Sequence, residues 1–131
     1  MEIGTAFANP EIEKEGTWVD YRDGSKIKVA RIGNPNFTRN HTAKLKPYRR
    51  KQRAGDLDDA LETRLLCEVI SETVLLDWEG FDNNGKPFKY TKSAAFDLLQ
   101  KHIDFRNEVV EIASTEEVFH QELAEDSEKN S

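Results

Sequence analysis

The chain has 131 residues, is 37% hydrophobic and carries a formal net charge of −6 at pH 7. That length supports one modest core and leaves little room for a second. A single cysteine excludes an intrachain disulfide, no stretch approaches the length of a membrane span, and the N-terminus has no signal-like apolar core.

The charge is unevenly placed. Residues 22–53 contain eleven Lys or Arg against one acid, Asp23, whereas residues 108–128 contain eight Asp or Glu and no Lys or Arg. Such fields attract one another within a chain, between copies, or across to a partner.

Residues 1–15 read as a flexible arm, with Phe7, Pro10 and Ile12 available to dock locally. Residues 17–31 carry the clearest strand signal. Asp23-Gly24 supplies a two-residue hairpin turn, because both positions tolerate positive φ. Counting outward sets Trp18 opposite Val29 and Asp20 opposite Ile27 on one face. Val19 with Lys28 and Tyr21 with Lys26 make the other. A lone hairpin is marginal, so this one must cover helices or extend a sheet.

Asn34 is placed to cap a helix with Pro35 at its first position. Phe37, His41, Leu45 and Tyr48 share a face of it, and Pro47 kinks or ends it. Six cations follow within residues 44–53: Lys44, Lys46, Arg49, Arg50, Lys51 and Arg53. Asp56 or Asp58 caps a long helix expected to run to about residue 78. Leu61, Leu65, Val69 and Leu76 form its stripe, widened by Leu66, Ile70 and Val74. Trp78 anchors its end and Gly80 permits a left-handed exit. Phe88 and Tyr90 make a short extended return. Thr91 or Ser93 caps a helix with Phe96, Leu99 and Ile103 inward. A last helix from about Asp104 carries Phe105, Val109, Ile112 and Ala113. Residues 121–131 read as a flexible acidic tail.

The expected fold is therefore α+β: a predominantly α-helical single domain over residues 16–120 with an N-terminal β-hairpin. No chemical signature points to an enzyme. The glycines are isolated and build no phosphate loop. Placing Gly85 at the sixth position of a calcium loop puts Gly80 and Thr91 where carboxylates are needed. Glu117-Val118-Phe119-His120 lacks the second Glu-x-x-His of a di-iron bundle, and His41, His102 and His120 have no ligand spacing around Cys67. No cofactor or metal is expected.

Three stretches carry a resemblance. They are Gly16-Thr17-Trp18-Val19-Asp20-Tyr21 through Lys28-Val29-Ala30-Arg31, Gly33-Asn34-Pro35-Asn36-Phe37 through Pro47-Tyr48-Arg49-Arg50, and Val74-Leu75-Leu76-Asp77-Trp78-Glu79-Gly80-Phe81 with Pro87-Phe88-Lys89-Tyr90-Thr91. With the last helix around Phe105-Arg106-Asn107-Glu108-Val109, they resemble the tail assembly chaperone family of phages with long non-contractile tails. The resemblance implies a small, mainly helical, non-catalytic protein of the infected bacterial cytoplasm, absent from the mature virion. It implies binding of the tape measure protein until tail tube subunits polymerise around it. The tail tube protein and a homo-oligomer are further candidate partners. Many members also carry a C-terminal extension made by frameshifting, with which the acidic end is compatible. Candidate protein-binding residues are Trp18, Tyr21 and Ile27 on the hairpin and Arg49, Arg50 and Arg53 in the basic run. The alternatives are a nucleic-acid-binding accessory protein of a phage or prophage, and a structural head–tail or tail completion protein. The acids of 108–128 weigh against nucleic acid, since they would repel phosphates nearby.

Overall fold

The computed structural model describes residues 1–121; the expected acidic tail lies, apart from Gln121, outside the described residues. The fold is mixed α+β and predominantly helical, with the hairpin near its N-terminus. Strands β1 (Thr17–Asp20) and β2 (Lys26–Val29) pair antiparallel. Asp23 and Gly24 both adopt positive φ, at 55° and 79°. The Ser25 amide donates to the Arg22 carbonyl, closing the turn about them.

The expected register is off by one residue. The Tyr21 amide donates to the Ser25 carbonyl at 2.8 Å, so Arg22 is an extra residue on the β1 side. Trp18 therefore faces Lys28, and Val19 faces Ile27. A slip of one exchanges the faces of a strand. Thr17, Ile27 and Val29 are buried with half-buried Val19, while Trp18, Asp20, Lys26 and Lys28 make up the outer face.

The second departure is larger. The long helix ends early: α5 spans Asp59–Thr73, and Leu75–Glu79 forms strand β3. It pairs antiparallel with β2, setting Trp78 against Ile27 and Leu75 against Val29 across a bulge. The hairpin is thus two-thirds of a sheet of order β1-β2-β3. Continuing the helix would have left β2 with an unpaired inner edge, and buried backbone groups do not tolerate that. Past Gly80 (φ 77°), Asp82–Asn83 and Lys86–Pro87 (β4 and β5) make a small hairpin around Asn84-Gly85. The extended return expected at Phe88 and Tyr90 is loop, with the pairing just before it.

Helix caps follow the sequence closely. Asn34 accepts from the amides of Asn36 and Phe37 at the start of α3 (Pro35–Leu45). Pro47 lies in a 3-10 turn, Lys46–Tyr48, before α4 (Arg49–Arg53). Asp58 caps α5 and Thr91 caps α6 (Lys92–Lys101). Helix α7 spans Ile103–Ala113 and a 3-10 turn follows at Glu116–Phe119. Helix α5 is the centre, packed between α3, α6 and β3. Its Cys67, fully buried, joins Ile70, Val74, Leu75, Leu99, Val109 and Phe119 in the core.

Of the arm expected to be flexible, residues 8–15 pack against this core through Ala8 and Ile12. Asn9 caps a helix, α2 (Pro10–Glu15), after a single turn at Ile3–Ala6 (α1). The Asn9 amide donates to the Phe119 carbonyl at 3.0 Å, and Arg31 reaches Glu13 through both its amide and its guanidinium, each at 2.8 Å. Met1, Ile3 and Phe7 remain exposed.

Gly16 joins α2 to β1 at φ 90°, where an added Cβ would lie 2.8 Å from Leu76 Cδ1 and 3.1 Å from the Val29 carbonyl oxygen. Gly16→Ala is expected to cost roughly 1–3 kcal/mol, from backbone strain and the collision together. An unmoved urea midpoint would mean that this junction relaxes freely.

Candidate partner-binding surface

Two surfaces contain the residues singled out in the sequence. On the hairpin, Trp18 is half-buried on the outer face of β1. Ile27 is fully buried and offers no surface in the folded chain. Tyr21 turns inward: its ring lies edge-on to Phe105 at 5.9 Å, and its hydroxyl donates to Glu108. The Arg22 guanidinium pairs with the same carboxylate. Burial, reinforced by Glu108, pushes the Tyr21 phenol pKa up. Hydrogen bonds from Tyr21 and Arg22 hold Glu108 below the usual carboxylate range. One acid of the C-terminal stretch thus meets the basic hairpin within the chain.

A lowered carboxylate pKa gives stability that is present above the unfolded value and lost as pH falls through the folded value. For a glutamate that loss begins near its ordinary 4.5. Glu108→Gln should therefore melt earlier than the parent at neutral pH, and the gap should close below pH 4.5. A gap that stays constant through the acid range would show that the Glu108 charge contributes nothing.

The basic run separates into two parts. Lys44 points back to α5, 3.5 Å from Glu68 and 3.1 Å from Glu72. Burial opposes its charge, but the two carboxylates outweigh that and raise its pKa. Lys46, Arg49, Arg50, Lys51 and Arg53 form no ion pair with any described residue, and α4 has no buried residue. These cations are solvated and available.

Helix α3 places them beside a groove. Its inner side carries Phe37, His41 and Leu45, all half-buried, as the spacing predicts. Its outer side is an open groove of about 830 Å³ lined by Gly33, Pro35, Thr38, Arg39, Thr42, Ala43, Lys46 and Arg49. The lining is mostly carbon, with Pro35, Thr38, Thr42 and Ala43 among the residues that form it. The rim is cationic and no acid lines it. Arg39, Lys46 and Arg49 all line it, although the 3-10 turn at Lys46–Tyr48 separates α3 from α4. Sequence reasoning missed Arg39, which stands outside the dense run; its spacing of seven from Lys46 was the available signal. None of Trp18, Tyr21 and Ile27 lines the groove, so the two candidate surfaces are separate.

This arrangement is suited to binding. Among the described residues, no three His, Cys, Asp or Glu converge to hold a metal ion, and no helix is long and apolar enough to cross a membrane. Residues 32–130 match the model of the family described as YdaY prophage protein. That stretch includes α3, α4 and the groove, and begins just after the hairpin. No curated protein and no solved structure matches the chain.

Proposed function

The chain belongs to the YdaY prophage protein family, and from that premise we propose that it is a non-catalytic chaperone of phage tail assembly. It binds the tape measure protein and keeps it soluble until tail tube subunits polymerise around it. It works in the host cytoplasm and is left out of the mature virion. One observation carries this reading: an exposed helix face with a mostly carbon lining and an unpaired cationic rim, continued by a helix that buries nothing. A long helical partner exposes apolar stripes before its tube forms. Reversible masking of such stripes needs apolar contact for affinity and charge for placement.

The test is native mass by light scattering, for the chain alone and coexpressed with a phage tape measure protein. A soluble complex of fixed composition is the expected result. Separate elution, or a partner that still precipitates, removes the reading. The same experiment reports whether the chain self-associates and whether the tail tube protein joins the complex.

The four cations of α4 also favour a second reading, nucleic-acid binding by a phage accessory protein. Four phosphate contacts would give log K a slope of roughly −3.6 against log salt on duplex DNA. A flat salt response would eliminate it.

A further inference from the structure

We propose that two copies of this chain pair edge to edge through β1, about a twofold axis at Val19, so that their sheets join into one. Strand β1 is the outer strand of the order β1-β2-β3. Bonded and non-bonded pairs alternate along an antiparallel ladder. The Tyr21 amide donates to the Ser25 carbonyl, so the next bonded pairs are Val19 with Ile27 and Thr17 with Val29. Trp18 and Asp20 therefore turn their amides and carbonyls away from β2. Among the described residues neither main chain has another partner. Thr17–Asp20 contains no proline and no lysine, the residues that commonly blunt such an edge. The 3-10 turn at Glu116–Phe119 packs against β1 from the core side, where Phe119 clusters with Ile27 and Val29.

The residues select both the occupant and its register. A twofold at Val19 sets Trp18 opposite Asp20 of the second copy, and each such pair exchanges two main-chain bonds. A twofold at Asp20 would oppose like charges. A twofold at Trp18 would set Asp20 against Gly16, whose amide already donates to Ile12 at 2.9 Å. In the Val19 register the outer face continues in rows. Lys28 lies beside Trp18 and opposite Asp77, while Lys26 lies beside Asp20 and opposite Glu79. One row then reads Asp77, Lys28 and Trp18, followed by Asp20, Lys26 and Glu79 of the second copy. No like charges stand opposite one another, and each Asp20 arrives at a tryptophan backed by a lysine. On the core side, half-buried Val19 meets its own copy, so the pairing covers an apolar edge as well. None of Trp18, Val19 and Asp20 lines the groove on α3, so the pairing stands apart from the chaperone reading.

Sedimentation equilibrium of the full chain, loaded from about 1 μM to about 1 mM, tests it. The expected result is a monomer–dimer equilibrium that stops at two copies, because a twofold contact closes on itself. Asp20→Pro costs no bond inside the chain, since that amide faces the open edge, where proline is tolerated. It should raise the dimer Kd at least about tenfold with circular dichroism unchanged. Val19→Cys places two thiols on the axis. Non-bonded antiparallel partners lie ~4.5 Å apart at Cα, within disulfide range. This variant should form a covalent dimer on mild oxidation. Lys28→Cys, one strand inward, should not, and neither should the parent with its buried Cys67. A monomeric mass throughout, growth beyond two copies, or a folded Asp20→Pro with an unchanged Kd overturns the proposal. So does a Val19→Cys link no stronger than that of Lys28→Cys, which decides the matter even where Asp20→Pro fails to fold. No tape measure protein enters these measurements, so failure here is distinct from failure of the chaperone reading.

Discussion

Trp78→Ala is expected to lower stability by about 3–5 kcal/mol, the usual cost of emptying a large aromatic site in a core. Three ring contacts and one hydrogen bond put it at the upper end. The ring is 4% exposed and stacks on Phe81 at 4.7 Å and on Phe88 at 5.6 Å. It meets Tyr90 edge-on at 5.0 Å, and its indole nitrogen donates to the Phe88 carbonyl at 2.7 Å. Tyr90 in turn donates to the Leu75 carbonyl at 2.7 Å. Removing the indole leaves a cavity, orphans a carbonyl and loosens the loop that covers the edge of β3. The melting temperature should fall by roughly 10–20 °C for a chain of this size. Trp18→Ala, on the outer face of β1, should cost ~1 kcal/mol or less. Equal effects at the two tryptophans would contradict the assignment of one to the core and the other to the surface.

Charge reversal of Arg49, Arg50 and Arg53 to Glu is expected to weaken partner binding by about 100-fold with helicity and melting unchanged. Each reversal in the basic run, Arg49 at the groove and Arg50 and Arg53 beyond it, removes an attraction and adds a repulsion, roughly 1 kcal/mol apiece, and three together reach about a hundredfold. Folding should be untouched because α4 buries nothing and none of the three has an ion-pair partner among the described residues. Affinity measured by titration calorimetry against a soluble fragment of the tape measure protein decides it. An undiminished affinity would move the binding surface away from the basic run, and Trp18 on the outer face of the hairpin becomes the residue to test. Arg→Lys at the same positions separates charge from fork geometry, since lysine keeps the first and loses the second.

Local chemistry explains which parts of the fold were legible in the sequence. Asn34, Asp58 and Thr91 cap where their side chains predict, because capping needs only the next two or three amides. Asp23-Gly24 turns the chain for the same reason. The register was not legible, since the extra residue Arg22 is held by its pairing with Glu108, far away in sequence. That single residue turned Tyr21 inward, to the side of Ile27, and Trp18 outward. Strand β3 was hidden by an apolar run, Val74-Leu75-Leu76, that satisfies helix and strand periods alike. Only the need of β2 for a neighbour decides it. At the candidate site the dense cations were plain, whereas Arg39 and the carbon lining emerged only once α3 had been assigned an inner side.

Cys67 gives the molecule a built-in clock. Its sulfur is fully buried in the middle of α5, and burial raises the thiol pKa against the opposing pull of Arg106. A thiol reagent in excess meets nothing else to modify, so its capture rate counts the openings that bring α5 into water. A ligand that holds only the closed form slows those openings by the factor 1 + [L]/Kd. One native atom thereby reports conformational stability and partner affinity on the same time axis, with no dye attached to either surface.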